Sequence, residues 1–279
     1  MIIAIFPNTS KSQSKKIALG IVEFFNGKKV TVVSDDNEAK LIGAKPLSQV
    51  DLNKIDFIIS MGGDGTIMRL AHRFAGAQIP ILGINLGQLG FMADIPLDDI
   101  YPSLQDLLNG HYAIEKRVMI EGESLEGEKA LAINDFVIHR ARNPSLVEIA
   151  IHINGTYLNT FEADGVILAT PTGSTAYSLA AGGPILTPEL DSFVLTPISP
   201  HTISNRPLIL PADIELQIQY LSDYDPVEVV ADGHQIFKLN TGGGFRLRKS
   251  KLTFQLVNLQ RRDYFSTLRT KLGWAGKLR

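Results

Sequence analysis

The spacing of apolar residues changes near residue 116 and divides the chain into two parts with different secondary structure. Before that point, short apolar runs alternate with stretches of helical period. The runs lie at 2–6, 30–33, 57–59 and 79–84, and the helical stretches at 17–25, 66–75 and 97–108. Strands that alternate with helices are typical of βαβ units with parallel strands. We therefore expect residues 1–115 to form an α/β domain with a Rossmann-like parallel sheet.

Beyond residue 116, apolar and polar residues alternate with the two-residue period of a strand. The alternating segments lie at 147–153 and 214–220, further strands are predicted at 227–231 and 252–257, and one short helix is predicted at 175–181. Asn154-Gly155 is a strong signal for a two-residue hairpin turn. We expect residues 116–258 to form an all-β domain with a layered antiparallel sheet. The basic tail, residues 259–279, is either a solvated end or a strap, and we expect it to pack on the first domain.

Composition excludes several classes of function. The 279 residues carry 27 basic and 29 acidic side chains, a net charge of −2, so we expect no nucleic-acid partner. The chain has no cysteine, which excludes a disulfide framework and a thiolate nucleophile. No apolar run approaches the ~18 residues of a membrane span, and the first run is too short for a signal peptide. We therefore expect a cytoplasmic protein without a membrane partner.

The segment 61–66, of sequence MGGDGT, lies between a predicted strand and a predicted helix. Glycines at such a turn let the backbone approach a phosphate, and the helix start presents N–H groups to an anion. Gly62, Gly63, Gly65 and Thr66 are therefore candidate phosphate contacts. Asp64 has two explanations: it is an N-terminal helix cap, or it binds a metal or accepts a proton.

Further candidates follow other predicted strands. Residues 85–91, of sequence NLGQLGF, are expected at the carboxyl edge of the sheet, with Phe91 either core filler or ligand contact. The hydroxyl-rich segment 164–178 suits a ribose and amide site. Asn134-Asp135 is polar inside an apolar strand and needs partners. Asp232-Gly233 is either an ordinary hairpin turn or a turn that brings His234 into a site.

These segments together resemble the NAD kinase family. The motifs at 62–66, 85–91, 134–135, 170–177 and 199–202 occur in the order found in that family. The resemblance implies transfer of a phosphoryl group from ATP, with a divalent metal (Mg or Mn), to the 2′-hydroxyl of the adenosine ribose of NAD. It also implies a homodimer or homotetramer. A lipid kinase with a similar GGDGT loop and a non-catalytic dinucleotide sensor are the alternatives.

The resemblance also implies roles for single residues. Asp64 is the expected general base. The expected NAD contacts are Asp64, Gly65, Arg69, Phe91, Asn134, Asp135, Glu162, Asp164, Thr175, Ala176, Tyr177, Ser178, Leu179, Ala180 and His234. The expected phosphate or ATP contacts are Gly62, Gly63, Gly65, Thr66, Asp232 and Gly233. No permanent metal site is expected.

Two positions depart from the family pattern. Asp135 stands where the family usually has Glu, which shortens the reach of the carboxylate. Glu162 stands where a basic residue is common, so the preference between NAD and NADH is left open, as is the phosphoryl donor, ATP or polyphosphate.

Overall fold

A computed structural model describes residues 1–8, 13–87 and 89–274, which form two compact units. The first comprises Met1–Lys116 and Phe254–Arg279, and the second comprises Arg117–Thr253. The predicted second domain ends at residue 258, whereas residues 254–258 belong to the first unit. Residues 254–258 belong there because they continue a strand that pairs with the first unit, in which Leu256 lies beside Ile81.

The first unit begins with strands and helices in alternation. The strands are β1 (Ile2–Pro7), β2 (Thr31–Ser34), β3 (Lys45–Pro46), β4 (Phe57–Gly62) and β5 (Ile81–Asn85), and the helices are α1 (Ser14–Phe25), α2 (Asp36–Ile42), α3 (Asp64–Arg73) and α4 (Ile100–Asn109). The strands pair in parallel in the order β3-β2-β1-β4-β5. This order reverses between β1 and β4, and open α/β sheets bind ligands at the carboxyl ends of the strands flanking such a point.

The core of the first unit explains why its helices cover the sheet. Ile5 and Ile59, paired across β1 and β4, are fully buried. Ile21 of α1 and Leu104 of α4 are fully buried in the same cluster. Burial of apolar helix faces on strands that are themselves apolar is the stable solution for this pattern.

The second unit is built of strands, the first of which begins and the last of which ends within the first unit. They are β6 (Ala113–Ser124), β7 (Lys129–Ala132), β8 (Asp135–His139), β9 (Val147–Ile153), β10 (Thr156–Ala163), β11 (Gly165–Ala169), β12 (Ser192–Ile198), β13 (Leu208–Pro211), β14 (Glu215–Tyr220), β15 (Val227–Ala231), β16 (Gln235–Leu239) and β17 (Gly244–Asn258), with a short helix α5 (Tyr177–Ala180). One antiparallel layer, over the described residues, has the order β13-β12-β11-β8-β15-β16. The other contains β10-β9-β14-β17, with β6 and β7 alongside.

Apolar residues from both layers meet in one core. Phe136 and Val166 come from one layer, and Ile149 and Leu216 from the other; all four are fully buried. The Asn154-Gly155 turn joins β9 to β10 with both residues at positive φ (51° and 79°), as the hairpin signal predicts. The predicted α/β and layered β architectures are both confirmed.

The chain ends in the first unit. Helix α6 (Tyr264–Leu272) begins at Asp263, whose carboxylate accepts a hydrogen bond from the N–H of Ser266 at 2.8 Å. Arg261 forms an ion pair with Asp106 at 2.6 Å. Residues 275–279 of the predicted basic tail lie outside the described residues. In the described part of the chain, no helix is both long and apolar enough to cross a membrane.

Candidate active site

The GGDGT segment forms the turn from β4 into α3. Gly63 is the N-terminal cap residue of α3, and Asp64 is the first residue of the helix. Asp64 is therefore not the N-cap residue, and the cap explanation of Asp64 is wrong. Gly65 and Thr66 complete the first turn, where backbone N–H groups point out of the helix start.

The carboxylate of Asp64 instead binds the backbone of another loop. Its Oδ2 accepts a hydrogen bond from the N–H of Phe91 at 2.8 Å. Its Oδ1 accepts hydrogen bonds from the N–H groups of Met92 and Ala93, both at 3.0 Å. We call this arrangement the Asp64 clamp. It fixes the loop that follows β5 to the start of α3.

Gly90 makes the close approach of this loop possible. A Cβ atom added at Gly90 would lie 2.1 Å from Oδ1 of Asp64, which is closer than real contacts allow. The centre of the Phe91 ring lies 6.1 Å from that of Tyr264 and 5.8 Å from Nζ of Lys271. Phe91 is thus half-buried beside α6. Gln88, within the predicted 85–91 motif, lies outside the described residues.

A cavity of about 410 Å³ opens between the carboxyl end of β1, the start of α2 and helix α3. It is lined by Phe6, Pro7, Asn8, Asp35, Glu38, Thr66, Arg69, Leu70 and Arg73. Asp35 accepts two hydrogen bonds from Arg73, at 2.5 and 2.7 Å, and this pairing raises the pKa of Arg73. Arg69 and Thr66 bring a guanidinium and a hydroxyl to a position where this class of sheet binds ligands.

The second unit holds a matching arrangement around Asn134-Asp135. Oδ2 of Asp232 accepts a hydrogen bond from the N–H of Ile133 at 2.7 Å. Oδ1 of Asp232 accepts hydrogen bonds from the N–H groups of Asn134 and Asp135, at 2.8 and 3.0 Å. We call this the Asp232 clamp. Asp232, predicted as a phosphate contact, thus gives its carboxylate to the turn that precedes β8.

The same turn is held from the opposite side by residues 170–173. The hydroxyl of Thr170 donates to the carbonyl of Ile133 at 2.6 Å, and its N–H donates to the carbonyl of Asn134 at 2.8 Å. A Cβ atom at Gly173 would lie 2.1 Å from that Asn134 carbonyl oxygen. The backbone of residues 133–135 is therefore fixed on both sides.

The side chains of this turn are poised for a polar ligand. Oδ1 of Asn134 is buried and has no hydrogen-bond partner among the described residues. Asp135 is 5% exposed. Burial first, and the nearby charge of Asp232 second, raise the pKa of Asp135 to about 7. The turn therefore carries a free amide acceptor and a carboxyl group that titrates near neutral pH.

The predicted contacts at 175–180 are divided between surface and interior. Tyr177 is 47% exposed, and Thr175 and Ala176 are half-buried. Leu179 is half-buried and Ala180 is exposed. Ser178 is fully buried, and its hydroxyl lies 2.9 Å from that of Thr196. Ser178 therefore binds its own fold through the side chain.

The remaining predicted contacts are charged and partly exposed. Asp164 pairs with Nε of Arg140 at 2.7 Å. The side chain of Glu162 is 54% exposed and lies 3.4 Å from Nδ1 of His201. Asp232-Gly233 is a hairpin turn with both residues at positive φ, and Nδ1 of His234 lies 2.5 Å from the Asp232 carbonyl. His234 is exposed.

Sequence reasoning did not find several of these participants. Arg140 brings a positive charge to Asp164, but this pairing depends on the register of β8 and β11. Thr170 was visible as part of a hydroxyl-rich motif, although its bonds to residues 133 and 134 were not. The N–H groups bound by Asp64 and Asp232 carry no side-chain signal at all.

No group of three or more His, Cys, Asp or Glu side chains that could hold a metal ion occurs among the described residues. The carboxylates of both clamps already accept backbone hydrogen bonds.

Comparison with known proteins covers nearly the whole chain. Residues 3–112 match the model of the ATP-NAD kinase N-terminal domain, and residues 133–259 match that of the ATP-NAD kinase C-terminal domain. A curated protein of Protochlamydia amoebophila named NAD kinase is 57% identical over 277 residues, 99% of each chain. Another of that name, from Moorella thermoacetica, is 37% identical and covers 98% of this chain and 90% of its own.

Two solved structures have the same fold. The yeast NADH kinase complexed with NADH superposes with a TM-score of 0.88 at 28% identity, over 100% of this chain and 89% of its own. An NAD kinase from Archaeoglobus fulgidus in complex with ATP gives a TM-score of 0.77 at 25% identity, over 99% of this chain and 100% of its own.

Proposed function

This chain belongs to the NAD kinase family, an enzyme family, and we propose that Asp64 is the general base with which it phosphorylates NAD. The reaction transfers the γ-phosphoryl group of ATP to the 2′-hydroxyl of the adenosine ribose and yields NADP and ADP. The first unit supplies the phosphoryl-transfer chemistry, and the second unit binds the dinucleotide.

The observation that carries this proposal is the fixed carboxylate of Asp64 at the start of α3. A carboxylate has about four acceptor positions. Among the described residues, Phe91, Met92 and Ala93 use three of them, which leaves the second position of Oδ2. That position is available to the attacking 2′-hydroxyl. The clamp therefore orients the base without exhausting its capacity to accept a proton.

In the proposed step, the 2′-oxygen forms a bond to the γ-phosphorus while its proton moves to Oδ2 of Asp64. The bond from the γ-phosphorus to the bridging oxygen breaks, and ADP leaves. Such a transfer depends mainly on alignment and on neutralising the charge of the phosphate. The N–H groups at the start of α3 and the guanidinium of Arg69 supply positive potential in the first unit.

The phosphoryl donor suits the first unit on grounds of position. Thr66 and Arg69 line the cavity at the carboxyl end of β1, and Thr66 belongs to the GGDGT turn. We assign the phosphate contacts to Gly62, Gly63, Gly65 and Thr66. Mg²⁺ or Mn²⁺ enters with the triphosphate of ATP as part of the substrate, since Mg²⁺ commonly keeps waters and phosphate oxygens as ligands.

The acceptor dinucleotide suits the second unit. The free Oδ1 of Asn134 can accept a hydrogen bond from an adenosine hydroxyl or amino group. Asp135 lies at the same turn, and Tyr177 offers an exposed aromatic surface. Asp164 and Glu162 are proposed ribose or nicotinamide contacts. A homodimer or homotetramer stays a prediction from the resemblance, and a cytoplasmic location stays a prediction from the apolar pattern of the sequence.

The test is a direct assay of the purified protein with NAD, ATP and Mg²⁺, in which a dehydrogenase specific for NADP detects the product. Parallel reactions replace ATP by polyphosphate, NAD by NADH, or Mg²⁺ by excess EDTA. We expect NADP with ATP and Mg²⁺, and none with EDTA. Phosphorylation of diacylglycerol in place of NAD, or binding without turnover, would support one of the two alternatives named from the sequence.

A further inference from the structure

We propose that Asp232 is a positioning residue for the acceptor dinucleotide, which acts by fixing the Asn134-Asp135 turn rather than by touching phosphate. This inference rests on the proposed function and adds a residue to it. Asp232 lies on the turn between β15 and β16, about a hundred residues along the chain from the turn that it holds.

The contacts of Asp232 specify the backbone of three consecutive residues. Its carboxylate accepts hydrogen bonds from the N–H groups of Ile133, Asn134 and Asp135. The N–H of Asp232 itself donates a hydrogen bond to the Asp135 carbonyl at 3.0 Å. A negatively charged carboxylate that already accepts these hydrogen bonds is repelled by a phosphate and gains nothing by contacting one. Its effect on a ligand must therefore pass through the turn.

The positioning of this turn affects ligand binding through Asn134. Oδ1 of Asn134 is buried without a partner among the described residues, so its direction depends on the backbone that carries it. A buried acceptor left unpaired is costly, and a ligand donor removes that cost. A small rotation of the 133–135 backbone would move this acceptor away from the ligand.

Asp232→Asn is the informative variant because it keeps size and shape. Asn has one acceptor oxygen, and its amide group would face at least one backbone N–H donor. The variant therefore loses part of the clamp and places donor against donor. We expect the KM for NAD to rise at least about tenfold, with the KM for ATP unchanged within about twofold.

The matched control is Asn154→Ala at the β9–β10 hairpin of the same unit. Oδ1 of Asn154 accepts a hydrogen bond from the N–H of Glu215 at 2.9 Å, so this change also removes a side-chain bond to backbone in a hairpin turn. We expect it to lower thermal stability while leaving the KM values for both substrates within about twofold of the wild type.

A second readout reports the contact without activity. Removing the charge of Asp232 lowers the pKa of Asp135, which lies near 7 in the wild type partly because of that charge. Carbon-detected NMR titration of the Asp carboxyl groups should show this decrease in Asp232→Asn and no change in Asn154→Ala. Thr170→Val, which removes the hydroxyl donor on the other side of the turn, serves if Asp232→Asn does not fold.

The outcomes separate this inference from the proposed function. Wild-type protein that makes NADP, together with a selective rise in the KM for NAD in Asp232→Asn or Thr170→Val, supports it. Equal changes in the KM values for NAD and ATP, an Asn154→Ala control with the same rise, or an unshifted Asp135 titration in Asp232→Asn would overturn it. Wild-type protein that makes no NADP would instead refute the proposed function.

Discussion

Two aspartates, Asp64 in the first unit and Asp232 in the second, use their carboxylates in the same way. Each accepts hydrogen bonds from three consecutive backbone N–H groups, at 2.7 to 3.0 Å. In each, one oxygen takes one N–H and the other takes two. A glycine packs closely against each arrangement. A Cβ at Gly90 would lie 2.1 Å from Oδ1 of Asp64, and a Cβ at Gly173 would lie 2.1 Å from the carbonyl oxygen of Asn134.

The two clamps differ in what they present. Asp64 is half-buried at a helix start, and its own carboxylate is the group proposed to accept the proton. Asp232 holds a turn whose neighbours, Asn134 and Asp135, are the proposed contacts. The same backbone chemistry can therefore fix a reactive carboxylate directly or fix other side chains through their backbone.

Asp64→Asn tests the reactive side of this comparison and has the largest expected effect. A general base contributes about 10²–10⁴ in rate, so kcat should fall at least about a hundredfold. The lost acceptor should also lower the free energy of unfolding by about 1–3 kcal/mol. The measurements are steady-state kinetics and urea unfolding. If kcat stays above about a tenth of the wild-type value, the base assignment is wrong.

Asp135→Asn tests a difference between the clamps in the pH dependence of stability. The turn held by Asp232 contains the titrating carboxyl of Asp135, whereas residues 91–93, held by Asp64, contain none. Its native pKa of about 7 exceeds the ordinary 3.8, so between these values the native state holds a proton that the unfolded state loses. The free energy of unfolding therefore falls as pH rises from about 4 to about 7. Over this range the contribution of Asp135 decreases by about 4 kcal/mol, and above about 7 it decreases no further.

We expect Asp135→Asn to lack this decrease. Urea unfolding of wild type and variant at pH 4.5, 6 and 8 measures it, with Asp36→Asn as an exposed control whose pKa is lowered by Ser48 instead of raised. A difference in stability between wild type and Asp135→Asn that is the same at all three pH values contradicts the burial argument.

Gly90→Ala and Gly173→Ala compare the clamps with matched substitutions. Each adds a Cβ at 2.1 Å from an oxygen, and overpacking of this kind costs about 1–3 kcal/mol of stability. We expect similar losses of thermal stability, with kcat reduced in Gly90→Ala and the KM for NAD raised in Gly173→Ala. The assignment of chemistry to one clamp and binding to the other fails if both variants change the same kinetic parameter.

Glu162→Arg has the smallest expected effect. The Glu162 side chain is half exposed and pairs with His201, and Arg140 already brings a positive charge to Asp164. Exposed pairs contribute about 0.2–1 kcal/mol, so the ratio of kcat/KM for NAD and NADH should change by less than about fivefold. A larger change would show that Glu162 itself determines the choice between oxidised and reduced dinucleotide.

The sequence did not predict β6 (Ala113–Ser124), β12 (Ser192–Ile198) or α6 (Tyr264–Leu272), nor two short elements that depend on their neighbours. Helix α2 (Asp36–Ile42) and strand β3 (Lys45–Pro46) were not predicted. Seven residues are too few for a stable isolated helix, so α2 is stabilised by burial of Ala39 and Ile42 in the first unit. Helix α3 begins at Asp64, two residues before the predicted start, because the GGDGT turn passes directly into it.

The sequence by itself determined the two architectures and the motifs that carry the chemistry. Apolar period decides which face of a strand or helix is buried, and this information is local. The tertiary structure alone decided what Asp64 and Asp232 bind, since their partners lie 27 to 29 and 97 to 99 residues away along the chain. Those partners are backbone N–H groups, which every residue except proline carries, so no pattern of side chains could single them out.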